Sequence, residues 1–498
     1  MSNIRVTYSG LISFVIGLVS VITGLIFTLI VTRQLSQEEF GTWSLIGSLI
    51  SYVIFVEPVI SYWSLREIAR GKNSGITAIF SSSFFSVGAI VVYLVIALII
   101  GKQAGIDYNI LIFSLILIPL LFLNKTLNAI NNAWKPEATS FGLIAFELTK
   151  IPVGLLLVYF MQLGLYGAII ATAIAYIISN IVLGLYARNK IKGKFQILII
   201  KNWLKKFWIP MFPGISSLIL NLDVAIFSII TGSVEGVALF GVSVTVTGLI
   251  AHTNLISNAV YPKLLGGGKT QHVQDNMIRF LYFAIPLTAL TIVFGKPALF
   301  ALNPIYEIGQ WIVFFMAFKV FLTYFTSIFT RPITGLDKVD TSDKSTFKDY
   351  LKSSLFKIPS INLIHNIIYL AIFTTVIWFA FSLKTSQLDL VMYWIIIGLI
   401  TFIPLSIYYY RLSRKVFEIK FDFSIMKYVL TSLGVFSFMF IIMEEFLIYN
   451  ESIFIFLPDL IFFVLIATGL YLIITYVIDK KTKDLFVSIY DEIRKNRI

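Results

Sequence analysis

The chain alternates long apolar runs with short polar breaks from one end to the other. Runs such as VVYLVIALII at 91–100 and LIFSLILIPLLFL at 111–123 carry no charge and show no strict apolar–polar alternation. About 20 such residues, rising 1.5 Å each, cross a hydrocarbon core of about 30 Å, so each run predicts a membrane-spanning helix. The strand of a membrane barrel would alternate over about ten positions. In hydrocarbon the backbone must satisfy its own hydrogen bonds, and a helix does so within one segment. Fourteen spans follow, at roughly 9–32, 40–63, 76–100, 110–133, 139–162, 165–187, 208–231, 237–262, 276–296, 308–333, 359–383, 388–410, 424–447 and 454–478. The predicted class is an all-α polytopic membrane protein.

The break between spans 1 and 2 reads VTRQLSQEEFGTW at 31–43. Ser36-Gln37-Glu38-Glu39 has the form of a capping box, with Ser36 as N-cap, Glu39 at the third helical position, and Leu35 and Phe40 placed for a hydrophobic staple. Two Glu in a first turn suit the positive end of the helix dipole. The stretch also has an echo. Thr32 to Phe40-Gly41 is matched 199–200 residues later by Thr231-Gly232-Ser233-Val234 leading to Phe240-Gly241. Spans 1 and 2 thus correspond to spans 7 and 8. An even offset gives both halves one orientation: two six-helix lobes in parallel pseudo-repeat, plus two C-terminal helices. The expected divisions are 1–187 (spans 1–6), 188–207 (a basic linker), 208–410 (spans 7–12) and 411–498 (spans 13–14 and a basic tail).

Composition agrees with this pattern. Of 498 residues 58% are hydrophobic and 13% charged, against about 25% charged in a soluble chain. The net charge of +13 is unevenly placed. With the N-terminus cytoplasmic, inner segments hold 32 of the 39 Lys and Arg, and outer loops hold four: Arg33, Lys102, Lys296 and Lys384. That bias predicts cytoplasmic N- and C-termini in a cell membrane. The basic excess then faces anionic lipid, which gives a nucleic-acid partner no support. The first apolar run, from about Gly10 to Thr32, is too long for a signal peptide and lacks its cleavage site, so it counts as span 1. There is no Cys and only three His, which excludes disulfides and thiolate metal sites and leaves no expected metal centre. Segment 188–207 mixes Lys and Arg with Ile, Leu and Trp, and reads equally as an interfacial amphipathic helix or a basic linker.

The remaining Lys lie inside spans, where an ionisable group is costly unless it faces an interior or a cavity. Span 4 carries Lys125 beside a polar stripe of Asn124, Asn128 and Asn131. Span 5 carries Glu147 and Lys150 three residues apart, on one helix face. Cations flanked by carboxamides suit a phosphate or pyrophosphate joined to sugars, so these residues and Lys319 of span 10 are the substrate-binding candidates. The alternative for Glu147 and Lys150 is a self-neutralising pair. Asp223 in span 7, near Asn221, is a candidate for a coupling proton or Na⁺, or for a salt bridge to Lys319. Glu57, next to the helix-bending Pro58, is a gating or proton-coupling candidate. Thr247, His252, Asn254 and Asn258 of span 8, and Asn362, His365 and Asn366 of span 11, read as polar helix–helix seams. Gly266-Gly267-Gly268-Lys269-Thr270 has the ending of a phosphate-binding loop, but Lys263 stands where its leading Gly belongs.

Thr32-Arg33, Leu35-Ser36, Glu38 to Gly41, and then Ser64, Arg66 and Glu67 to Arg70, make a motif T-R-x-L-S-x-E-E-F-G followed by S-x-R-E-I-A-R. It resembles the polysaccharide-biosynthesis, Wzx-type flippases of the multidrug/oligosaccharidyl-lipid/polysaccharide exporter superfamily. In this chain Glu57-Pro58 replaces the family's usual pattern near the end of span 2. The resemblance implies a MATE-like fold and a non-enzymatic transporter. Such a protein moves a lipid-linked oligosaccharide from the inner to the outer leaflet by alternating access. Its partners would be membrane lipid, a polyprenyl or dolichyl phosphate or pyrophosphate glycan, and other glycan-assembly membrane proteins. It would need no cofactor beyond a coupling H⁺ or Na⁺. A multidrug exporter of the same fold is the alternative within transport. Outside it stand a membrane glycosyltransferase or ligase, for which Glu444, Glu445, Glu451 and Asp459 are the outer carboxylates, and a scaffold or scramblase.

Overall fold

The computed structural model describes residues 23–253, 271–335, 339, 347–417, 422–484 and 486–487. The start of span 1, Asn254 and Asn258 of the span 8 seam, and the glycine-rich stretch from Lys263 to Thr270 lie outside the described residues. The secondary structure of the described residues is helical throughout. In chain order the helices are α1 (23–34), α2 (Gln37–Ile54), α3 (Pro58–Ala69), α4 (Gly75–Ala104), α5 (Tyr108–Asn132), α6 (Glu137–Phe160), α7 (Gly164–Ile191), α8 (Ile197–Lys205) and α9 (Trp208–Thr231). They continue as α10 (Glu235–Ala251), α11 (Gln271–Val293), α12 (Gly295–Leu302), α13 (Pro304–Thr334), α14 (Phe347–Lys352), α15 (Ser354–Ser382), α16 (Gln387–Phe417), α17 (Phe423–Phe446) and α18 (Ile453–Ile478).

Eleven of these helices are long and apolar enough to cross a membrane, and α2 with α3 makes a twelfth, bent span. The shorter α1 and α10 stand where spans 1 and 8 are expected, each next to residues outside the described set. Span 2 breaks by 58° between Ile54 and Pro58. Pro58 has no amide hydrogen and its ring obstructs the preceding turn, so α2 ends in a tight turn and α3 starts afresh with proline in its first turn.

The chain divides into two compact units, residues 1–241 with 344–397, and residues 242–343 with 398–498. These bounds run elsewhere than the divisions expected at 187, 207 and 410. In the first unit α9 packs on α2, α4 and α15, which groups spans 7 and 11 with the first six. In the second unit α17 and α18 pack on α11, so the C-terminal pair joins spans 9 and 10.

In the first unit the expected capping box is present. The Glu39 amide donates to Ser36 Oγ (3.1 Å), and the Ser36 amide donates to Glu39 Oε2 (2.9 Å). Leu35 and Phe40 are buried. The echo stretch lies against this hairpin. Gln37 Nε2 donates to the Glu235 carbonyl (3.4 Å), Gly41 faces the Val234 carbonyl, and Gly241 faces Ser44 and Phe40. The two Phe-Gly pairs are small where the two helices meet, because a side chain at either Gly would collide with the other copy. Segment 188–207 contains a real helix, α8. Trp203 anchors it in a cluster with Ile60, Ile68 and Leu127, while Ile197 and Leu198 stay exposed beside Lys201 and Lys205.

In the second unit a tyrosine cluster joins α11, α17 and α18. Tyr471 donates to the Tyr282 carbonyl (2.9 Å), and Tyr428 donates to Asp479 Oδ2 (2.9 Å) just past the end of α18. Asp479 also accepts from Ser424 Oγ, Lys427 Nζ and both the amide and the hydroxyl of Thr482. Asp422 and Lys481 form a further ion pair. Burial pushes the Asp479 carboxyl up, but the donors, led by the Thr482 amide and the Tyr428 hydroxyl, outweigh it and hold the group below its ordinary 3.8.

Two predictions follow from this packing. Gly41→Val should lower stability by about 1–3 kcal/mol through overpacking, read as a drop in the thermal midpoint of the detergent-solubilised protein. Gly47→Ala, in the same helix with open space at its Cβ position, should be neutral or stabilising. Equal midpoints for the two variants would contradict the close crossing. The second prediction concerns pH. A carboxyl depressed by folding contributes stability that is fully present above its unfolded value and is lost as pH falls through its folded value. The midpoint difference between wild type and Asp479→Asn should therefore hold from neutral pH down to about 4 and close below that. A difference that persists unchanged in stronger acid contradicts the assignment.

Candidate functional site: a cavity at the broken second span

Irregular backbone at membrane depth is tolerated where it is buried in protein or lines a cavity. In the first unit the break in span 2 does line one. A cavity of about 390 Å³ is bounded by Ser51, Phe55 and Pro58 around the break, by Lys125 of α5, and by Ser217 and Asn221 of α9. Its walls mix apolar surface with these few polar groups. Lys125 is exposed to it. Behind the break, Glu57 is 2% exposed. Its carboxylate accepts from Ser61 Oγ (3.2 Å) and Thr126 Oγ1 (3.5 Å), and it feels the charge of Lys125. Cation and carboxylate thus flank one helix break, with only the cation lining the cavity.

The carboxamides of span 4 point elsewhere. Asn124 Nδ2 donates to Asn180 Oδ1 (2.9 Å) and Ser179 Oγ (3.1 Å) of α7, and Asn131 Nδ2 donates to the Leu183 carbonyl (2.9 Å) of the same helix. Asn128 donates back to Asn124 (3.0 Å). The three Asn share one face, as their spacing requires, and that face is the α5–α7 seam. Lys125 is one residue on from Asn124, so it projects about 100° away around the helix.

Lys150 and Glu147 are not among the residues lining this cavity. The Lys150 ammonium lies 4.1 Å from the Phe27 ring centroid and 5.2 Å from that of Phe146. Such cation–π contacts gain strength in a desolvated site. Glu147 is buried on the same helix within electrostatic reach of Lys150.

Asp223 sits in an aromatic cage that its sequence neighbours do not announce. Its Oδ2 accepts from the Tyr369 hydroxyl (2.8 Å) and from Trp394 Nε1 (2.9 Å), and its Oδ1 accepts from the Val224 amide (2.8 Å). The Trp394 ring is stacked on Phe240 at 4.0 Å and on Phe227 at 5.0 Å. Tyr369 and Trp394 lie 146 and 171 residues away in sequence, so only a Tyr and a Trp in apolar spans hint at them. Nearby, Asn366 Nδ2 donates to the Ser216 carbonyl (2.7 Å), a seam between α15 and α9. In the second unit the Lys319 side chain of α13 lies across Gly398 of α16, where a Cβ would stand 2.7 Å from Nζ.

A smaller cavity of about 260 Å³ in the second unit is lined by Asp275, Arg279, Lys481 and Asp484 with Tyr282 and Tyr428. Its formal charges cancel, and Lys481 and Asp484 follow the end of α18, outside the spans. It is a different kind of site from the cation-lined cavity at the break.

The fold of this chain has counterparts among solved structures of membrane proteins. Three solved structures make the likeness specific. The lipid II flippase MurJ, in an inward closed conformation, matches at a TM-score of 0.64 with 17% identity over 95% of this chain and 99% of its own. A MATE-family multidrug resistance transporter of the MOP superfamily, inward-facing, matches at 0.58 with 12% identity over 82% and 98%. A MOP superfamily transporter from Pyrococcus furiosus, described as having a binding pocket of reversed polarity, matches at 0.55 with 13% identity over 83% and 95%. No family model matches the chain, and no curated protein sequence matches it. At these identities the likeness is one of fold, and it is the fold that the motif of the first hairpin implied.

Proposed function

We propose that the chain is a multi-pass membrane transporter, not an enzyme, and that it moves a lipid-linked oligosaccharide from the inner to the outer leaflet. The observation that carries this reading is Lys125, an intramembrane cation facing a cavity at a helix break. Glu57 offsets the cost of this cation from behind the break, and the cavity face of Lys125 is open to a second anion; a phosphate or pyrophosphate between lipid and sugar supplies one. The mobile ammonium of Lys suits a group that must bind and leave. The likeness to MurJ, named as a lipid II flippase, supports the lipid-linked class, because it covers 95% of the chain against 82% for the MATE structure. The extra overlap is about 60 residues, the length of two spans.

Alternating access exposes the substrate path to each side in turn, and the polyprenyl chain stays in lipid. Glu57 and Asp223 are the candidates for H⁺ or Na⁺ coupling, Glu57 at the break and Asp223 in its Tyr–Trp cage. The termini are cytoplasmic, a reading that the distribution of Lys and Arg supports. A multidrug exporter is the second reading. It is disfavoured by a lysine in the cavity, which repels organic cations.

Deleting the gene should cause the lipid-linked glycan to accumulate on the inner leaflet, and the wild-type gene should restore its export. Lys125→Met should fail to restore it while reaching wild-type abundance in the membrane, and Lys125→Arg should restore it in part. Unchanged surface glycan and unchanged intermediate in the deletion strain, with no second transporter present, would sink the flippase reading. Full rescue by Lys125→Met would remove Lys125 from it.

A further inference from the structure

Three helices of the second unit come to one membrane face together. Helix α11 starts there at Gln271, α17 starts there at Phe423, and α18 ends there at Ile478. The cavity of about 260 Å³ described above lies among these ends. Phe423, Met426 and Val477 are exposed at the same level, as side chains that meet lipid are. The cavity therefore stands where phospholipid headgroups lie, next to surface that meets their acyl chains.

Most charged and hydroxyl groups around it are already engaged. Lys481 pairs with Asp422, and Lys427 with Asp479. The Tyr428 and Thr482 hydroxyls donate to Asp479, and the Tyr282 hydroxyl shares a hydrogen bond with Thr475 (3.2 Å). Asp484 is engaged as well. Asp275 and Arg279 differ. Both line the cavity and are exposed, and the side chain of neither forms an ion pair or hydrogen bond among the described residues. They lie one turn apart on α11, about 6 Å along its axis. Their order is fixed by the chain: Asp275 is nearer the helix start, hence nearer water, and Arg279 is deeper.

A phospholipid with an ethanolamine head carries its charges in the same order. The phosphate follows the glycerol, and the ammonium ends the head one two-carbon bridge further out. A guanidinium takes two phosphate oxygens at once, and a carboxylate accepts from the ammonium N–H groups. The cavity is smaller than most small-molecule sites, which run to about 300–1,000 Å³, and so is this head. A choline head has the same charges but no N–H to donate. Quaternary ammonium groups are held in open aromatic cages. The two rings here, Tyr282 and Tyr428, are buried and packed edge to face on each other at 5.1 Å. A glycerol head has no cation and sets the lipid phosphate beside Asp275 uncompensated.

We propose that this cavity is a site for the headgroup of an ethanolamine phospholipid, with Arg279 on the phosphate and Asp275 on the ammonium. The site is separate from the Lys125 cavity and does not depend on what the protein transports.

The test uses the full chain purified in detergent and a phosphatidylethanolamine labelled on one acyl chain. Its binding is competed with unlabelled phosphatidylethanolamine, phosphatidylcholine and phosphatidylglycerol of identical chains. The ethanolamine lipid should compete on the order of tenfold better than the other two, the worth of one hydrogen bond to a charged group. Asp275→Asn should remove the preference over phosphatidylcholine and leave competition by phosphatidylcholine unchanged. Arg279→Gln should weaken both lipids. Both side chains are exposed, so the lipid-free thermal midpoint of each variant should stay at the wild-type value, and the three-lipid comparison on wild-type protein needs no variant. Equal competition by the three lipids overturns the site. So does a preference that survives both Asp275→Asn and Arg279→Gln. Soluble phosphoethanolamine that competes as well as the lipid overturns the phospholipid as the source of the head.

Discussion

The structure depends on one constraint: hydrocarbon offers no hydrogen bonds, so every polar group in a span must be answered by protein or by enclosed water. The chain answers in three ways. Most Ser and Thr hydroxyls bond their own helix, as Thr231 does to Phe227 and Thr288 does to Ala284. Carboxamides and some hydroxyls pair across helices, as in Asn124 with Asn180, Asn366 with Ser216, and Thr326 with Ser406. A few groups stand at space instead, and Lys125 is the clearest in the first unit. On the transporter reading proposed above, that third set is where substrate is met. The first two fix which helices are neighbours and how each is rotated.

The same sorting separates rigid from interrupted parts of the first unit. Around Gly41 and Val234 the contact is too close for a side chain. Asp223 is held by Tyr369 and Trp394, and the Trp394 ring stacks on Phe240 and Phe227. Span 2 runs from that dry crossing to a break at Glu57-Pro58, where the cavity begins. One span is thus anchored at one end and interrupted further along. A helix so built can carry a bend without disturbing the crossing that ties the two halves of the repeat.

Much of this was legible in the chain. Hydropathy runs gave the spans because a membrane helix has a fixed length, and Ser36 to Glu39 gave the start of α2 because a capping box is local. The echo at 231–241 pointed to the duplication but not to the physical contact between Gly41 and Val234, which depends on tertiary packing. Lys125 could be picked as an intramembrane cation. The Asn stripe beside it looked like part of the same site, and only the rotation of α5 against α7 assigns it to a seam. Lys150 could not be separated from a ligand-binding lysine, because Phe27 comes from a different helix. The cage around Asp223 was illegible because it is assembled from residues 146 and 171 positions away.

The most direct test of the account is a leaflet-transfer measurement with the purified protein in phospholipid vesicles. A polyprenyl pyrophosphate oligosaccharide is confined to one leaflet, and its arrival at the other is followed with an impermeant sugar-cleaving enzyme. The account predicts that wild-type protein speeds transfer well above protein-free vesicles, and that Lys125→Met returns it toward that baseline. Transfer no faster than in protein-free vesicles, from protein that instead moves a cationic dye across the same membrane, would contradict it.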